Sequence, residues 1–281
     1  MKFTKMHGCG NDYIFINCIY EKVNNPDKLS RTLSDRHLGI GADGLVLIGD
    51  SLIADYSMRM FNPDGTSAEM CCNALRCIGK YVYETKMTSK TTITVETIAG
   101  VKTLLLTVRQ ERVVEVMVDM GKPVLDAGAI PVVTEMETVK DEELTVLDRT
   151  FFITCVSVGN PHAVVFVDHV AGFPVSKYGL PMEHNLKFPN RINVEFVQVV
   201  DRNNIKMRVW ERGTGETLAC GTGTAASVVA GIITDRLDED VMVHCKGGIL
   251  KVHYDRNQNV IYLSGPAKKV FDGEFDPEDI Y

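Results

Sequence analysis

The sequence predicts an α/β (α+β) fold of two pseudo-symmetric domains, each a curled, mostly antiparallel sheet around a central helix. Three observations support this prediction: short β-branched segments are numerous, long helical segments are only two, and several motifs recur after a fixed interval. A sheet that surrounds its helix buries both the apolar face of the sheet and the sides of the helix.

The recurring motifs share one register. Three of them return 149 residues later (160 − 11 = 208 − 59 = 220 − 71 = 149): Gly10-Asn11 as Gly159-Asn160, Met58-Arg59 as Met207-Arg208, and Cys71 as Cys220. Such an interval indicates a duplicated unit. We therefore expect one domain at residues 1–120 plus 267–281 and a second at 121–266, so that the closing segment returns to the first domain.

Within each half, strands are predicted wherever β-branched or alternating runs are bounded by Gly, Asp or Asn. They are GLVLIG, YSMRMF, TTITVET and TLLLTV in the first half, and HAVVFVD, NVEFVQVV, NIKMRVWE and DVMVHC in the second. Helices are predicted to start after Cys71 and after Cys220. The second helix is apolar on nearly every side, which predicts that it lies buried in the middle of its domain.

The composition limits the class of partner. A formal charge of −7 without a cluster of Lys or Arg gives no reason to expect nucleic acid or an anionic membrane, and small polar substrates fit better. The start of the sequence lacks a secretory apolar segment, and the apolar run at 225–233 is too short to span a bilayer. We expect a cytoplasmic protein whose eight cysteines are thiols.

Cys71 and Cys220 each come just before a predicted helix. The unpaired N–H groups of a helix start are expected to lower the pKa of a thiol there and to seat a carboxylate. If the two starts face one cleft, a thiolate on one side of a carbon and a thiol on the other can invert a stereocentre next to a carboxylate. This chemistry requires neither a cofactor nor a metal.

Other interpretations of the cysteines are weaker. Core packing is the expectation for Cys18, Cys77, Cys155 and Cys245. A structural zinc site needs four ligands, usually in CxxC-like pairs, which Cys71, Cys72 and Cys77 do not supply. The Gly- and Thr-rich segment before Cys220 has neither GK[ST] nor a GxGxxG motif that would indicate a phosphate loop.

The chain as a whole resembles the diaminopimelate epimerase family. The resemblance covers KMHGCGNDYIFIN, LSDRHLGIGADGLVLI, MRMFNPDGTSAEMCCNALRC, VSVGNPHAVVF, RINVEFV, VWERGTGETLACGTGTAA and GPAKKVFDGEF. It implies two similar α/β domains with the active site in the cleft between them. The implied activity interconverts LL- and meso-2,6-diaminopimelate, in the biosynthesis of lysine and peptidoglycan precursors, without pyridoxal phosphate or a metal.

The resemblance also implies roles for particular residues. Cys71 and Cys220 match the two catalytic bases, and His162 and Glu211 match groups that tune the thiols. The N–H groups that grip the carboxylate match those of Cys72, Asn73, Gly221 and Thr222. The side chains that hold the rest of the substrate match Asn11, Asn62, Asn160, Asn193, Glu211 and Arg212.

Two positions depart from the family pattern. Cys72 stands where the family commonly has Gly, and Gly44 stands where some members have Gln. Two other functions stay open at this stage: another cofactor-independent amino-acid racemase of the same fold, for example one acting on histidine, and a ligand-binding relative without activity. The sequence leaves open whether the chain forms a homodimer.

Overall fold

Strands dominate the structure, which is a computed structural model that describes residues 1–279. The chain forms two compact units. Unit 1 consists of Met1–Val118 together with the segment that begins at Ser264, and unit 2 consists of Asp119–Leu263. The predicted two-domain α/β class is confirmed.

The described residues form eighteen strands, four α-helices and one 3₁₀ helix. The strands are β1 (Lys2–Gly8), β2 (Asn11–Asn17), β3 (Leu45–Gly49), β4 (Tyr56–Phe61), β5 (Ser67–Ala68), β6 (Thr92–Thr97), β7 (Gly100–Arg109), β8 (Arg112–Gly121), β9 (Glu142–Val146), β10 (Arg149–Ser157), β11 (Pro161–Phe166), β12 (Asn193–Asp201), β13 (Asn204–Glu211), β14 (Gly215–Thr217), β15 (Asp240–Cys245), β16 (Gly248–Asp255), β17 (Val260–Gly265) and β18 (Lys268–Glu274). The helices are α1 (Pro26–Ser34), α2 (Cys72–Glu84), α3 (Val175–Glu183) and α4 (Gly221–Ile233), and the 3₁₀ helix is Pro277–Asp279.

The sheet of unit 1 is mostly antiparallel. β1 pairs antiparallel with both β2 and β18. Further antiparallel ladders join β3 to β4, β4 to β5, β6 to β7 and β7 to β8. Parallel pairing joins β2 to β3 and β4 to β6. α2 packs against β1 and β7, which come from distant parts of the unit. This is the predicted arrangement of strands around one central helix.

Unit 2 repeats that arrangement. Antiparallel ladders join β9 to β10, β10 to β11, β12 to β13, β13 to β14 and β15 to β16, and parallel ladders join β11 to β12 and β13 to β15. α4 packs against β10, β11, β12 and β16. Eleven of its thirteen residues are buried, which confirms the prediction that this helix is enclosed by its domain.

The 149-residue interval is visible in the backbone pairing. Ile14 faces Leu45 in the parallel ladder of unit 1, and Ala163 faces Val194 in that of unit 2 (163 − 14 = 194 − 45 = 149). α2 and α4 are both thirteen residues long and start 149 residues apart (221 − 72 = 149). The predicted duplication of the unit therefore extends to individual residue pairs.

Two short helices were not predicted. α1 and α3 are each nine residues long, and their starts are also 149 residues apart (175 − 26 = 149). Nine residues give about two and a half helical turns, too few for a clear apolar period, and α3 contains Pro181. Among residues 1–279, none of the helices is long and apolar enough to cross a membrane.

Leucine-to-alanine substitutions test the role of α2 in the core. Leu75 on α2 is 0% exposed and Leu52 is fully exposed. We expect Leu75→Ala to lower the free energy of unfolding by about 2–5 kcal/mol, because it leaves a cavity, and Leu52→Ala to change it by less than about 0.5 kcal/mol. Urea unfolding followed by circular dichroism measures both, and equal losses would contradict the central position of α2.

Candidate active site

Cys71 lies where the extended backbone turns into α2. Its φ and ψ are −138° and 121°, and its carbonyl accepts the hydrogen bond of Leu75 N–H at 3.0 Å. A residue at this boundary stands beside the unpaired N–H groups of the first helical turn. The N–H groups of Asn73 and Ala74 accordingly favour negative charge on the Cys71 sulfur.

Side chains from β2 complete the surroundings of the Cys71 sulfur. Tyr13 Oη donates to Cys71 Sγ at 3.4 Å, and Cys71 Sγ donates to Asn11 Oδ1 at 3.4 Å. Asn11 Oδ1 also accepts from Asn73 Nδ2 at 3.0 Å, and Asn11 Nδ2 donates to Asp43 Oδ2 at 2.8 Å. The sulfur thus has a hydroxyl that donates to its ionised form and an amide oxygen that accepts from its neutral form.

Burial decides the direction of the pKa shift at Cys71. It raises the pKa of this thiol, although the Tyr13 hydroxyl, the N–H groups of Ala74 and Asn73 and the Arg76 charge all act to lower it. The expected net lowering of the pKa of this thiol is therefore wrong, although the helix-start N–H groups act in the expected direction. The helix start opposes the effect of burial but does not exceed it.

The side chains of Cys72 and Cys77 lie in the core of unit 1. Cys72 is 3% exposed and Cys77 is 0% exposed, and burial raises the pKa of each thiol to about 12. The Cys72 side chain therefore finds room inside unit 1, while its backbone forms the first residue of α2. A Cys at position 72 is thus compatible with an intact helix start.

Asn62 and Gly44 have backbone roles. Asn62 closes a turn: its N–H donates to Thr66 O at 2.8 Å and its Nδ2 donates to Thr66 Oγ1 at 2.9 Å. Gly44 has φ +154°, and a Cβ on it would lie 2.3 Å from Phe61 O. No side chain fits at position 44 without a shift of the backbone.

Cys220 occupies the same boundary in unit 2. Its φ and ψ are −119° and 117°, and its sulfur accepts from Gly223 N–H at 3.4 Å and lies 3.4 Å from Thr222 Oγ1. Thr224 Oγ1 donates to the Cys220 carbonyl at 2.7 Å. The backbone of Gly221 and Thr222 forms the first helical turn, equivalent to that of Cys72 and Asn73 in unit 1.

Two carboxylates act on Cys220. Burial raises the pKa of this thiol well above its usual value, and the charges of Glu211 and Glu195 raise it further. Burial also raises the pKa of Glu211, against hydrogen bonds from Thr217 and Cys220. The lowered pKa expected for the thiol is thus wrong at Cys220 also, and the electrostatic reason differs from that at Cys71.

His162 lies in a buried chain of polar groups that leads towards Cys220. Its Nδ1 is 2.7 Å from Glu195 Oε1 and its Nε2 is 2.9 Å from Asn160 Oδ1. Glu195 is 0% exposed and lies against the first turn of α4, where a Cβ on Gly223 would come 2.4 Å from Glu195 Oε1. His162 therefore reaches the surroundings of Cys220 through Glu195.

Asn193 and Arg212 are joined to each other. Asn193 is 4% exposed, donates from Nδ2 to Pro161 O at 2.8 Å, and accepts the Arg212 N–H at 2.9 Å. The Arg212 side chain is exposed and donates from Nη1 to Asn190 O at 3.0 Å. Asn193 fixes the loop that carries Arg212, and its side chain contacts protein backbone.

Three side chains at these helix starts were not singled out from the sequence: Tyr13, Arg76 and Glu195. The repeat pairs Tyr13 with His162 (162 − 13 = 149), so the register alone could have identified Tyr13. The positions 149 residues from Arg76 and Glu195 are Ala225 and Val46. Because these are apolar, the repeat gives no indication that Arg76 or Glu195 has a role. Within residues 1–279, no cluster of three or more His, Cys, Asp or Glu side chains could hold a metal.

Solved structures of epimerases and racemases have the same fold. A probable proline racemase from Agrobacterium radiobacter matches with a TM-score of 0.73 at 14% identity, over 98% of this chain and 93% of that one. A hydroxyproline epimerase from Agrobacterium vitis matches with a TM-score of 0.71 at 13% identity, over 99% of this chain and 92% of that one. At these identities the comparison shows the fold alone.

Sequence comparisons identify the family. The diaminopimelate epimerase family model matches residues 3–125 and 154–270. A diaminopimelate epimerase from Methanococcus maripaludis is 53% identical over 98% of this chain and 100% of its own length, and one from Acetivibrio thermocellus is 52% identical over the full length of both chains. The chain belongs to the diaminopimelate epimerase family, and it is an isomerase.

The effect of Glu211 on Cys220 can be measured directly. Because the Glu211 carboxylate raises the pKa of the Cys220 thiol, Glu211→Gln should move that pKa down and let Cys220 react at lower pH. Iodoacetamide alkylation from neutral to alkaline pH, mapped by peptide mass, gives the profile of Cys220, and Cys71 in the same sample is the internal control. An unchanged or upward-shifted Cys220 profile would contradict the assignment.

Proposed function

We propose that this chain interconverts LL- and meso-2,6-diaminopimelate by a two-base mechanism in which Cys71 and Cys220 are the bases. One observation supports it above the others. The two cysteines stand at the same boundary of two equivalent thirteen-residue helices, in a chain of the diaminopimelate epimerase family. The product serves the biosynthesis of lysine and peptidoglycan precursors.

In the proposed reaction, one cysteine thiolate removes the α-proton from one face of the substrate carbon. The other cysteine, as a thiol, gives its proton to the opposite face, so that the configuration inverts and the two sulfurs exchange protonation states. The reverse reaction starts from the exchanged state. Neither pyridoxal phosphate nor a metal takes part in these steps.

The charges near the two sulfurs support a resting state with the thiolate on Cys71. The Tyr13 hydroxyl and the Arg76 charge favour the ionised form at Cys71. The Glu211 and Glu195 carboxylates favour the neutral form at Cys220. A substrate isomer whose α-proton faces Cys71 can therefore react directly, because Cys71 is already a thiolate and Cys220 is already a thiol.

Negative charge grows on the substrate carboxylate as the α-proton leaves. We assign its stabilisation to the N–H groups at the two helix starts, those of Cys72 and Asn73 and those of Gly221 and Thr222. Preorganised N–H groups of this kind contribute about 3–4 kcal/mol per donor in other enzymes. The backbone supplies these groups, so Cys72 fills the role of the usual Gly.

The distal end of diaminopimelate carries a second carboxylate and a second ammonium group. Arg212 is exposed and held at its backbone by Asn193, which suits it to bind the carboxylate bidentately. Carbonyl oxygens of Asn11, Asn62 and Asn160, together with Glu211, are acceptors of the kind that an ammonium group requires. Each asparagine would exchange an intramolecular contact for one to the substrate.

Two alternatives remain in the test. A racemase for another amino acid, for example histidine, would use the same pair of thiols but would not need Arg212. A ligand-binding relative would bind the substrate without exchanging its α-proton. Retention of both cysteines at equivalent helix boundaries favours an active enzyme.

The test is incubation with LL-diaminopimelate in deuterated water. We expect the wild type to form the meso isomer with deuterium at the α-carbon, and Cys71→Ala and Cys220→Ala each to lower kcat by at least about 10³-fold, since each removes one of the two proton-transfer groups. Cys18→Ala, which removes a half-buried thiol elsewhere in unit 1, is the matched control.

Rapid inversion by either variant would overturn the two-base mechanism. Turnover of histidine but not of diaminopimelate would overturn the substrate and leave the mechanism, whereas binding without deuterium exchange would indicate the inactive relative.

We further propose that the enzyme works in the cytoplasm as a homodimer that binds neither nucleic acid nor membranes. A charge of −7 agrees with the absence of anionic partners. Analytical ultracentrifugation at micromolar concentration should give about twice the chain mass of 31.2 kDa. Sedimentation at the mass of one chain throughout the concentration series would contradict the dimer.

A further inference from the structure

Arg76 is a buried cation without an acidic partner. It lies on α2, is 0% exposed, and is the largest fully buried side chain in the described part of the chain. Within residues 1–279 it forms no ion pair with a carboxylate. A charge removed from water without a counter-charge is strongly disfavoured, so its retention needs an explanation.

The hydrogen bonds of the guanidinium lead to the Cys71 sulfur. Arg76 Nη2 donates to Asn73 Oδ1 at 2.7 Å, and Asn73 Nδ2 donates to Asn11 Oδ1 at 3.0 Å, the same oxygen that accepts from Cys71 Sγ. Arg76 Nε donates to Pro266 O at 3.3 Å, while Nη1 has no hydrogen-bond partner in residues 1–279. The guanidinium therefore holds Asn73 and retains one donor.

The ionisable groups around the guanidinium are thiols. Its charge acts on the sulfurs of Cys9, Cys71, Cys72 and Cys77, all in unit 1. Burial raises the pKa of Cys72 and of Cys77 to about 12, so both stay neutral at neutral pH. Burial raises the pKa of Cys9 as well, against the charge of Arg76 and a side-chain hydrogen bond from it. Cys9 receives no hydroxyl hydrogen bond of the kind that Tyr13 gives to Cys71, whose sulfur is also favoured in its ionised form by the N–H groups of Ala74 and Asn73. Cys71 is the sulfur best placed to carry the missing negative charge.

Charged groups on the elements around Cys71 do not replace Arg76. β2 contributes the Tyr13 hydroxyl, whose pKa burial raises well above its usual value, so it stays a donor. The loop after α1 contributes Asp43, whose Oδ2 accepts from Asn11 and whose Oδ1 accepts from Arg36 at 2.9 Å. Of these groups, Arg76 alone brings positive charge to the Cys71 helix start from the protein interior.

Only unit 1 has a buried cation at this position of the repeat. The position of unit 2 equivalent to Arg76 is Ala225 (225 − 76 = 149), and the position of unit 1 equivalent to Glu195 is Val46 (195 − 46 = 149). One helix start thus has a buried cation behind it, and the other has a buried carboxylate. The backbone is duplicated, but the charge behind each thiol is opposite.

We propose that Arg76 is a positioning residue for the epimerisation, the buried counter-charge of the Cys71 thiolate, which also holds Asn73 and Asn11 against that sulfur. The inference rests on the proposed function for its catalytic consequence. Its effect on Cys71 is independent of any substrate.

The test compares Arg76→Met, Arg76→Gln and Arg76→Lys in the full chain without substrate. Alkylation of Cys71 by iodoacetamide is measured against pH and mapped by peptide mass. We expect the Met and Gln variants to move the Cys71 profile to higher pH and to slow its alkylation at neutral pH by about tenfold or more, equivalent to one pH unit or more. Arg76→Lys retains the charge and should keep the profile of the wild type. Arg59→Met, which removes an exposed arginine of unit 1, is the matched control.

Turnover of diaminopimelate supplies the second readout. The Met and Gln variants should lose kcat by about 10²-fold, more than KM rises, and Arg76→Lys should recover most of the loss. A Cys71 profile that stays in place in folded Met or Gln variants overturns the proposal. If neither variant folds, the Lys variant decides, because a shift of its profile to higher pH also overturns the proposal and an unmoved profile supports it. If the wild type does not epimerise diaminopimelate, the proposed function is refuted. If the Cys71 profile nevertheless shifts in the Met and Gln variants, the role of Arg76 as counter-charge stands.

Discussion

The change from extended to helical backbone at Cys71 and Cys220 is the constraint on which the rest of the structure depends. It places each sulfur beside the unpaired N–H groups of a first helical turn. The strands around each helix keep that start out of water. Burial raises the pKa of both thiols, so the hydroxyl, amide and charged groups beside them decide which one ionises more readily. The reactivity of each sulfur is thus set by its unit's core and not by the helix dipole alone.

Much of the fold could be predicted from the sequence because the repeat and the β-branched runs are strong signals. The starts of α2 and α4 and the enclosure of α4 followed from them. α1 and α3 escaped because nine residues with prolines at their ends give no clear period. The direction of the thiol pKa shifts was missed for a different reason. A sequence shows which residue starts a helix, but it does not show how deeply the sulfur is buried.

Site residues divide in the same way. Asn11 and Asn160 were found through their common register, and the structure places each against a polar partner near its helix start, Asn11 beside Cys71 and Asn160 beside His162. Glu195 gave no signal because Val46 stands at the equivalent place, and a carboxylate inside a strand of apolar residues resembles an ordinary alternation. The residues that distinguish one half-site from the other are the ones a repeat cannot reveal.

The two ends of the described chain meet in unit 1. β18 forms a ladder with β1, and the Met1 ammonium donates to Phe275 O at 2.6 Å. Unit 2 is a single continuous segment, whereas unit 1 needs its last strand to cover β1. During synthesis, which proceeds from the N-terminus, unit 2 is complete before the strand that finishes unit 1 has left the ribosome. One edge of β1 can therefore pair with β2 at once, whereas its other edge stays unpaired until β18 has been made.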